Sequence, residues 1–149
     1  MATEIDYAQV IEDAFNENGW HFSTRKRDDA TIFSLPMSAK NCPGLNIRLE
    51  VDEDGDCKIR CYLADDTPKD RHHELVEVLN GLNNRYRYIT LSLDSDGDVL
   101  AAYDFQIATD EPELIDKQVG GMVVLLVRIM DKCIPPIMKV VWADDEDED

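Results

Sequence analysis

Apolar residues follow a helical spacing near the amino terminus. They recur at intervals of three and four residues, which predicts an amphipathic helix with one apolar stripe. The residues of this stripe are Tyr7, Val10, Ile11, Ala14 and Phe15. Thr3 and Asp6 offer a cap for the start of the helix, and Asn18-Gly19 offers a stop.

The spacing then changes to the two-residue period of strands. Short strands are expected over residues 20–26 and 31–37, where Pro36 favours an edge position or a bend. Two hairpins follow, over residues 45–63 and 89–105, each with apolar residues on one face only. The turns contain Asp54-Gly55 and Asp96-Gly97, and Asp-Gly is a strong hairpin signal. Cys57 and Cys61 fall on the apolar face of the first hairpin and are expected to point inward.

Two further helices are indicated by their apolar stripes and start signals. The second begins at Thr67-Pro68, where Thr67 can cap and Pro68 suits the first helical position. The third opens with Asp110 as the cap and Glu113 at the reciprocal capping position. It is expected to run to about Cys133 and to break at Pro135-Pro136.

The element order predicts an α+β fold. It is α-β-β-β-β-α-β-β-α, and strands joined by short turns form an antiparallel sheet, so we expect a two-layer sandwich with the helices on one face. Residues 1–142 form a single domain in this interpretation. Residues 143–149 form a disordered acidic tail, because like charges repel and no apolar side chain is available for burial.

The third helix is apolar around most of its circumference, and a small two-layer domain rarely surrounds a helix on all sides. We therefore predict that part of it contacts another chain, and a symmetric homodimer is the commonest assembly. An internal role in the core is the alternative. The predicted interface residues on this helix are Val123, Val124, Leu125 and Val127. Tyr86 and Tyr88 join them as a second candidate surface, because they alternate with arginines and both residue types are enriched at protein interfaces.

The formal net charge of −17 on 149 residues excludes several classes of partner. Nucleic-acid binders need basic clusters, and anionic membranes repel an acidic surface, so we expect neither partner. No signal segment is visible, and no apolar run approaches the length that spans a bilayer. The four cysteines form no C-x-x-C pair, which favours reduced thiols in a cytoplasmic protein.

The sequence offers no specific catalytic, cofactor or metal site. Residues 52–56 and 94–98 are acidic, yet neither turn provides the bidentate glutamate or the flanking helices of an EF-hand loop. Gly120-Gly121 lies inside a helical pattern and not at a strand–helix junction, so it predicts close packing or a kink. We therefore predict a protein that is not an enzyme and has no cofactor.

The segment over residues 74–83, Glu-Leu-Val-Glu-Val-Leu-Asn-Gly-Leu-Asn, resembles the signature of the YbjN-like family. The aromatic strand over residues 86–93, the Asp96-Gly97 turn and the strand over residues 99–107 continue the likeness in order. The resemblance implies a fold similar to type III secretion chaperones, a bacterial source and a role as a sensory-transduction regulator. It carries over no catalytic residue.

Residues and resemblance together favour one function over another. The leading hypothesis is a non-enzymatic, protein-binding or chaperone-like regulatory module that forms a homodimer. The alternative is a regulatory domain that senses a ligand or a cation through its acidic turns.

Overall fold

The computed structural model describes residues 5–143, so the cap residue Thr3 and all of the predicted 143–149 tail except Ala143 lie outside it. Over the described residues, the chain forms three α-helices, one short 3₁₀ helix and six strands, with the α-helices and strands in the predicted order. The elements are α1 (Tyr7–Glu17), β1 (Ser23–Arg27), β2 (Ala30–Ala39), β3 (Cys42–Asp52), β4 (Asp56–Ala64), a 3₁₀ turn (Lys69–Arg71), α2 (His72–Arg85), β5 (Thr90–Leu93), β6 (Val99–Gln106) and α3 (Pro112–Val141).

The six strands form one antiparallel sheet in the order β1-β2-β3-β4-β6-β5. The β3–β4 and β5–β6 turns, which belong to the two predicted hairpins, each contain a glycine with positive φ, +85° at Gly55 and +82° at Gly97, a conformation that glycine adopts without steric cost. Pro36 lies beyond the end of β1, which pairs with β2 only as far as Ser34. β2 is therefore an interior strand of the sheet that pairs at Pro36 with β3 alone.

All three helices pack on one face of the sheet, which confirms the two-layer α+β prediction. α3 lies between α1 and α2 and contacts β2 and β4. The apolar residues that alternate along the hairpins lie on the inner face of the sheet and form the core. Cys57 and Cys61 are among them, and each is 1% exposed. Apolar burial of this extent is the dominant stabilising contribution to a domain of this size.

α3 is longer than predicted, because it continues through Pro135 and Pro136 to Val141 as one helix of 30 residues. The break expected at the proline pair was wrong. The expected caps of α2 and α3 were also wrong: neither Thr67 nor Asp110 caps its helix, and Thr67 Oγ1 donates instead to Gly97 O at 2.6 Å. Despite the length of α3, none of the helices between residues 5 and 143 is both long and apolar enough to cross a membrane.

Candidate functional site: the exposed face of the third helix

The four interface residues predicted on α3 have different environments. Val123 is 1% exposed and belongs to the core, so its assignment to an interface was wrong. Val124, one position further along the helix, is 39% exposed and faces solvent. Leu125 and Val127 are half-buried on either side of the exposed face.

A shallow groove of about 500 Å³ runs along the exposed face of α3. Val124 and Leu125 lie on its apolar side, and Trp20 closes it from the segment between α1 and β1. Asp116 and Arg128 line its two ends on the helix. Val127 is not among the lining residues, so the structure brings two of the four predicted α3 residues together at one site.

Trp20 lies outside the sheet, because the strand predicted over residues 20–26 begins only at Ser23. The Trp20 ring instead packs on the Phe15 ring, with 4.9 Å between the ring centroids. The backbone N–H of Trp20 donates to Phe15 O. The helix stop at Asn18-Gly19, with φ +74° at Gly19, turns the chain back over the end of α1. That stop was visible in the sequence, but the packing partner of Trp20 was not.

The two adjacent glycines of α3 have different neighbours. A Cβ at Gly120 would lie 3.2 Å from Asp116 Oδ1 and 3.8 Å from the Trp20 ring, so this glycine accommodates the packing of α1 on α3. Gly121 has no atom within 4 Å of the same position and is exposed. A glycine inside a helix costs roughly 0.5–1 kcal/mol relative to alanine. A methyl group at Gly121 would meet open space, so no neighbouring group in the described chain excludes alanine at this position.

The apolar excess of α3 is smaller than its sequence pattern suggests. Exposed large apolar side chains on this helix are limited to Leu114 and Val124 among the described residues. The reason is that α1 and α2 flank α3 in the same layer while the sheet covers its inner side. Three sides of the helix are thus covered by its own chain, and only one narrow stripe remains.

Tyr86 and Tyr88 form a separate surface next to β5 and do not line the groove. Arg85 lies over the Tyr86 ring at 5.4 Å, and the Tyr88 ring meets the Tyr103 ring edge-to-face at 5.7 Å. Tyr88 has φ +77° and Ile89 N donates to Arg87 O at 3.0 Å, which is the geometry of a strained γ-turn. Strain of this kind in a bulky residue costs about 1–3 kcal/mol, and here it holds a 46% exposed tyrosine at the surface.

In both acidic turns, an aspartate carboxylate accepts hydrogen bonds from backbone N–H groups of the same turn. Asp52 Oδ1 accepts the N–H groups of Asp54 and Asp56, each at 2.9 Å. Asp94 Oδ1 accepts those of Asp96 and Asp98 in the same way, at 3.0 and 2.9 Å. The carboxylates of Asp94, Asp96 and Asp98 have oxygens within 4.8 Å of one another, close enough to share a cation. They are nevertheless exposed or half-buried, and two of them already accept backbone N–H groups: Asp94 within the turn, and Asp98 from Asp66 N at 2.7 Å.

A larger groove of about 710 Å³ lies between the start of α1 and the β1–β2 and β3–β4 turns. Seven carboxylates and a single base line it, so it attracts positive charge. The carboxylates belong to Asp6, Asp28, Asp29, Asp52, Glu53, Asp54 and Asp110, and the base is Lys26. Asp6 caps α1 by accepting from Gln9 N at 3.1 Å, which gives this carboxylate a structural role as predicted.

The four cysteines are all free thiols. Burial raises the pKa of Cys57 and of Cys61 to about 12, and that of Cys133 to about 11. A thiol is nucleophilic only as the thiolate, so these three residues are inert core side chains at neutral pH.

Comparisons with known proteins identify the kind of fold. The family model of YbjN, described as "putative bacterial sensory transduction regulator", matches residues 7–138. The crystal structure of YbjN from E. coli, titled "a putative transcription regulator", is similar with a TM-score of 0.55. The two sequences are 12% identical, and the alignment covers 84% of this chain and 89% of that one, so the likeness concerns the fold. A comparison with curated protein sequences gives no significant match.

Proposed function

The chain belongs to the YbjN family, and from this premise we propose that it is a regulatory module that acts by binding polypeptides, in a chaperone-like manner, and forms a homodimer. The family is described as a class of regulators and not as a class of enzymes. We infer that this member likewise has no catalytic activity. The observation that carries the proposal is the groove on α3, where exposed Val124 lies beside the open surface of Gly121.

Pairing of two copies through this groove is supported by the opposite charges of Asp116 and Arg128 at its two ends. Asp116 and Arg128 lie six positions before and after residue 122. In a two-fold arrangement of antiparallel α3 helices, Asp116 of each copy faces Arg128 of the other, because a two-fold interface is self-complementary. Gly121 at the centre lets the two backbones approach closely, and Val124 is buried in the contact.

A single substitution tests the homodimer. Val124→Glu places a charge in the centre of the contact and is expected to give a monomer, measured by light scattering coupled to size exclusion. Val76→Glu is the matched control, since Val76 is a 51% exposed valine on α2 that does not line the groove. A wild-type chain that is monomeric over the whole accessible concentration range contradicts the homodimer, and equal dissociation of both variants contradicts the assignment to α3.

Tyr86 and Tyr88 are the proposed contact for a polypeptide partner. The strained backbone at Tyr88 presents an aromatic ring that packs only edge-to-face on Tyr103, and exposed aromatic residues are frequent anchors of binding. A photo-crosslinking amino acid at position 88, with position 76 as the control, tests this contact. Crosslinks to a defined polypeptide from position 88 alone support it, and identical products from both positions contradict it.

The net charge supports a protein partner over nucleic acid or membrane, because the field of a chain with charge −17 repels both polyanions and anionic lipid. We further infer a cytoplasmic location from the unpaired cysteines, since disulfides are rare in reducing compartments. Oxidation of the purified chain is expected to leave Cys57 and Cys61 as thiols, because both are buried.

Cation sensing is the second candidate function, and the specific observation in its favour is the close set of Asp94, Asp96 and Asp98. Oxygen ligands of this kind suit Ca²⁺ and Mg²⁺. Titration calorimetry with each ion tests it, with Asp96→Ala as the variant that removes one ligand and leaves the Asp94 hydrogen bonds to the backbone in place. Absence of both heat and a change in melting temperature contradicts cation sensing.

A further inference from the structure

The outer face of the sheet, opposite the helices, is basic in an otherwise acidic chain. The strand register places five of the 15 basic residues on this face and, away from the hairpin ends, only two acids. The bases are Arg25, Arg27, Arg48, Lys58 and Arg60, and the acids are Glu50 and Asp104. No helix covers this face within residues 5–143, since all three helices contact the other side.

Ion pairs within the chain neutralise only part of this charge. Arg27 pairs with Glu50 at 3.0 Å across β2, and Arg60 pairs with Asp104 at 2.6 Å. Arg48 has no ion pair among the described residues and lies directly opposite Arg60 in the register. Like charges in opposed positions of a sheet are destabilising, so this arrangement does not serve the stability of the isolated chain.

We propose that this face receives the carboxyl-terminal segment, residues 142–149, of a second copy of the chain. The segment has the complementary chemistry: Trp142 is 79% exposed, the most exposed large apolar residue in the described chain, and six acidic residues end the sequence. The face offers an aromatic counterpart in Tyr62, which is 55% exposed two residues beyond Arg60 on β4.

The spacing of side chains along β4 also matches the spacing of side chains along an extended acidic segment. Lys58, Arg60 and Tyr62 are alternate residues of β4 and share the outer face. Alternate residues of an extended chain are about 6.6–6.8 Å apart, so two carboxylates on alternate residues of an extended segment match the spacing of Lys58 and Arg60. Arginine adds a planar fork that binds a carboxylate through two hydrogen bonds.

Within one copy, Trp142 and Ala143 are held on the helix side of the sheet, opposite the basic outer face. Trp142 N donates to Met138 O at 2.8 Å, and Arg71 Nη2 donates to Ala143 O at 3.0 Å. Both bonds fix the end of α3 in the helix layer, whereas Tyr62 faces away from that layer. The Trp142 ring therefore reaches a Tyr62 ring only on another copy. This contact uses none of the groove residues on α3 and does not depend on whether that groove pairs.

Peptide binding tests the proposal directly. The probe is a fluorescein-labelled peptide of residues 140–149, titrated with the full chain at low ionic strength and followed by fluorescence anisotropy. Arg48→Glu with Lys58→Glu is expected to weaken binding by about tenfold or more, because charge-assisted contacts become repulsive. Lys69→Glu with Lys132→Glu makes the same change in net charge away from this face and is expected to leave the affinity within about twofold.

A change in the peptide avoids any effect on the fold of the protein. A probe with Trp142→Ala is expected to bind about tenfold more weakly to the wild-type chain, because aromatic stacking on Tyr62 is lost. The chain carrying Val124→Glu is expected to bind the unchanged probe normally, which separates this proposal from the homodimer through α3. Absent binding, equal losses in both charge variants, or binding of a single-stranded oligonucleotide in place of the peptide would overturn it.

Discussion

The side-chain amide of Asn41 donates through Nδ2 to the backbone oxygen of Asp131 at 3.1 Å. In a regular α-helix that oxygen accepts the N–H four residues later, which is the position of Pro135 and carries no N–H. Asn41 lies in the turn between β2 and β3, and its own backbone N donates to Asp131 Oδ1 at 2.6 Å. A distant turn thus satisfies the helix oxygen that the proline leaves free.

Removal of this amide is expected to destabilise the carboxyl-terminal part of α3. Asn41→Ala leaves Asp131 O without its donor, and we expect a loss of about 1 kcal/mol in the free energy of unfolding, the usual net value of one hydrogen bond. Urea unfolding measures this loss, and hydrogen exchange locates it. Asn46→Ala, at an exposed asparagine of β3, is the control. Equal stability of both variants would contradict the role of Asn41.

Asn83 has a comparable role between α2 and β5. Its Oδ1 accepts Leu91 N at 2.7 Å and its Nδ2 donates to Leu91 O at 3.0 Å, so the amide pairs with an edge strand as a neighbouring strand would. Asn83→Ala is expected to lower the free energy of unfolding by about 2 kcal/mol, because two partly buried bonds are lost. Asn84→Ala, at the exposed next position, is expected to change it by less than about 0.5 kcal/mol. Denaturant titration of both variants checks the difference.

Gly121 offers a test that separates stability from association. Gly121→Ala is expected to stabilise the monomer by roughly 0.5–1 kcal/mol, since alanine favours the helix and meets open space. The same methyl group obstructs the close approach of two α3 helices, so we expect weaker self-association in sedimentation. Gly81→Ala on α2, also with open space around it, is expected to stabilise equally without affecting association. A loss of association in both variants would disprove the proposed contact.

The buried thiols predict a loss of stability at alkaline pH. Their pKa is raised by burial in the folded chain, to about 12 for Cys57 and Cys61, from the usual 9.0 that applies on unfolding. The stabilisation is complete below pH 9 and decreases as the pH rises toward 12, because only the unfolded chain then releases these protons. Urea unfolding between pH 8 and 10.5 measures the slope. Cys57→Ala with Cys61→Ala is expected to make it shallower, and an unchanged slope would contradict this origin.

Most helices and strands could be predicted from local patterns in the sequence. The stripe from Tyr7 to Phe15 and the alternation around Gly55 describe periodicities that depend on neighbours in sequence alone. The start of α1 at Asp6 and its end at Asn18 were likewise readable, since caps act within one turn. The continuation of α3 past Pro135 could not be predicted from the sequence. The donor that satisfies Asp131 O comes from Asn41, which is 90 positions away from Asp131 in the chain.

The same distinction applies to the candidate surfaces. The sequence by itself determined the class of fold, the element order, the inward-facing cysteines and the existence of a long apolar helix. Only the tertiary structure decided that Val123 is core and Val124 is surface, that Trp20 closes a groove beside Gly121, and that scattered bases meet on the outer face of the sheet. Periodicity identifies which side of an element is apolar, whereas burial depends on how much of that side the neighbouring elements cover.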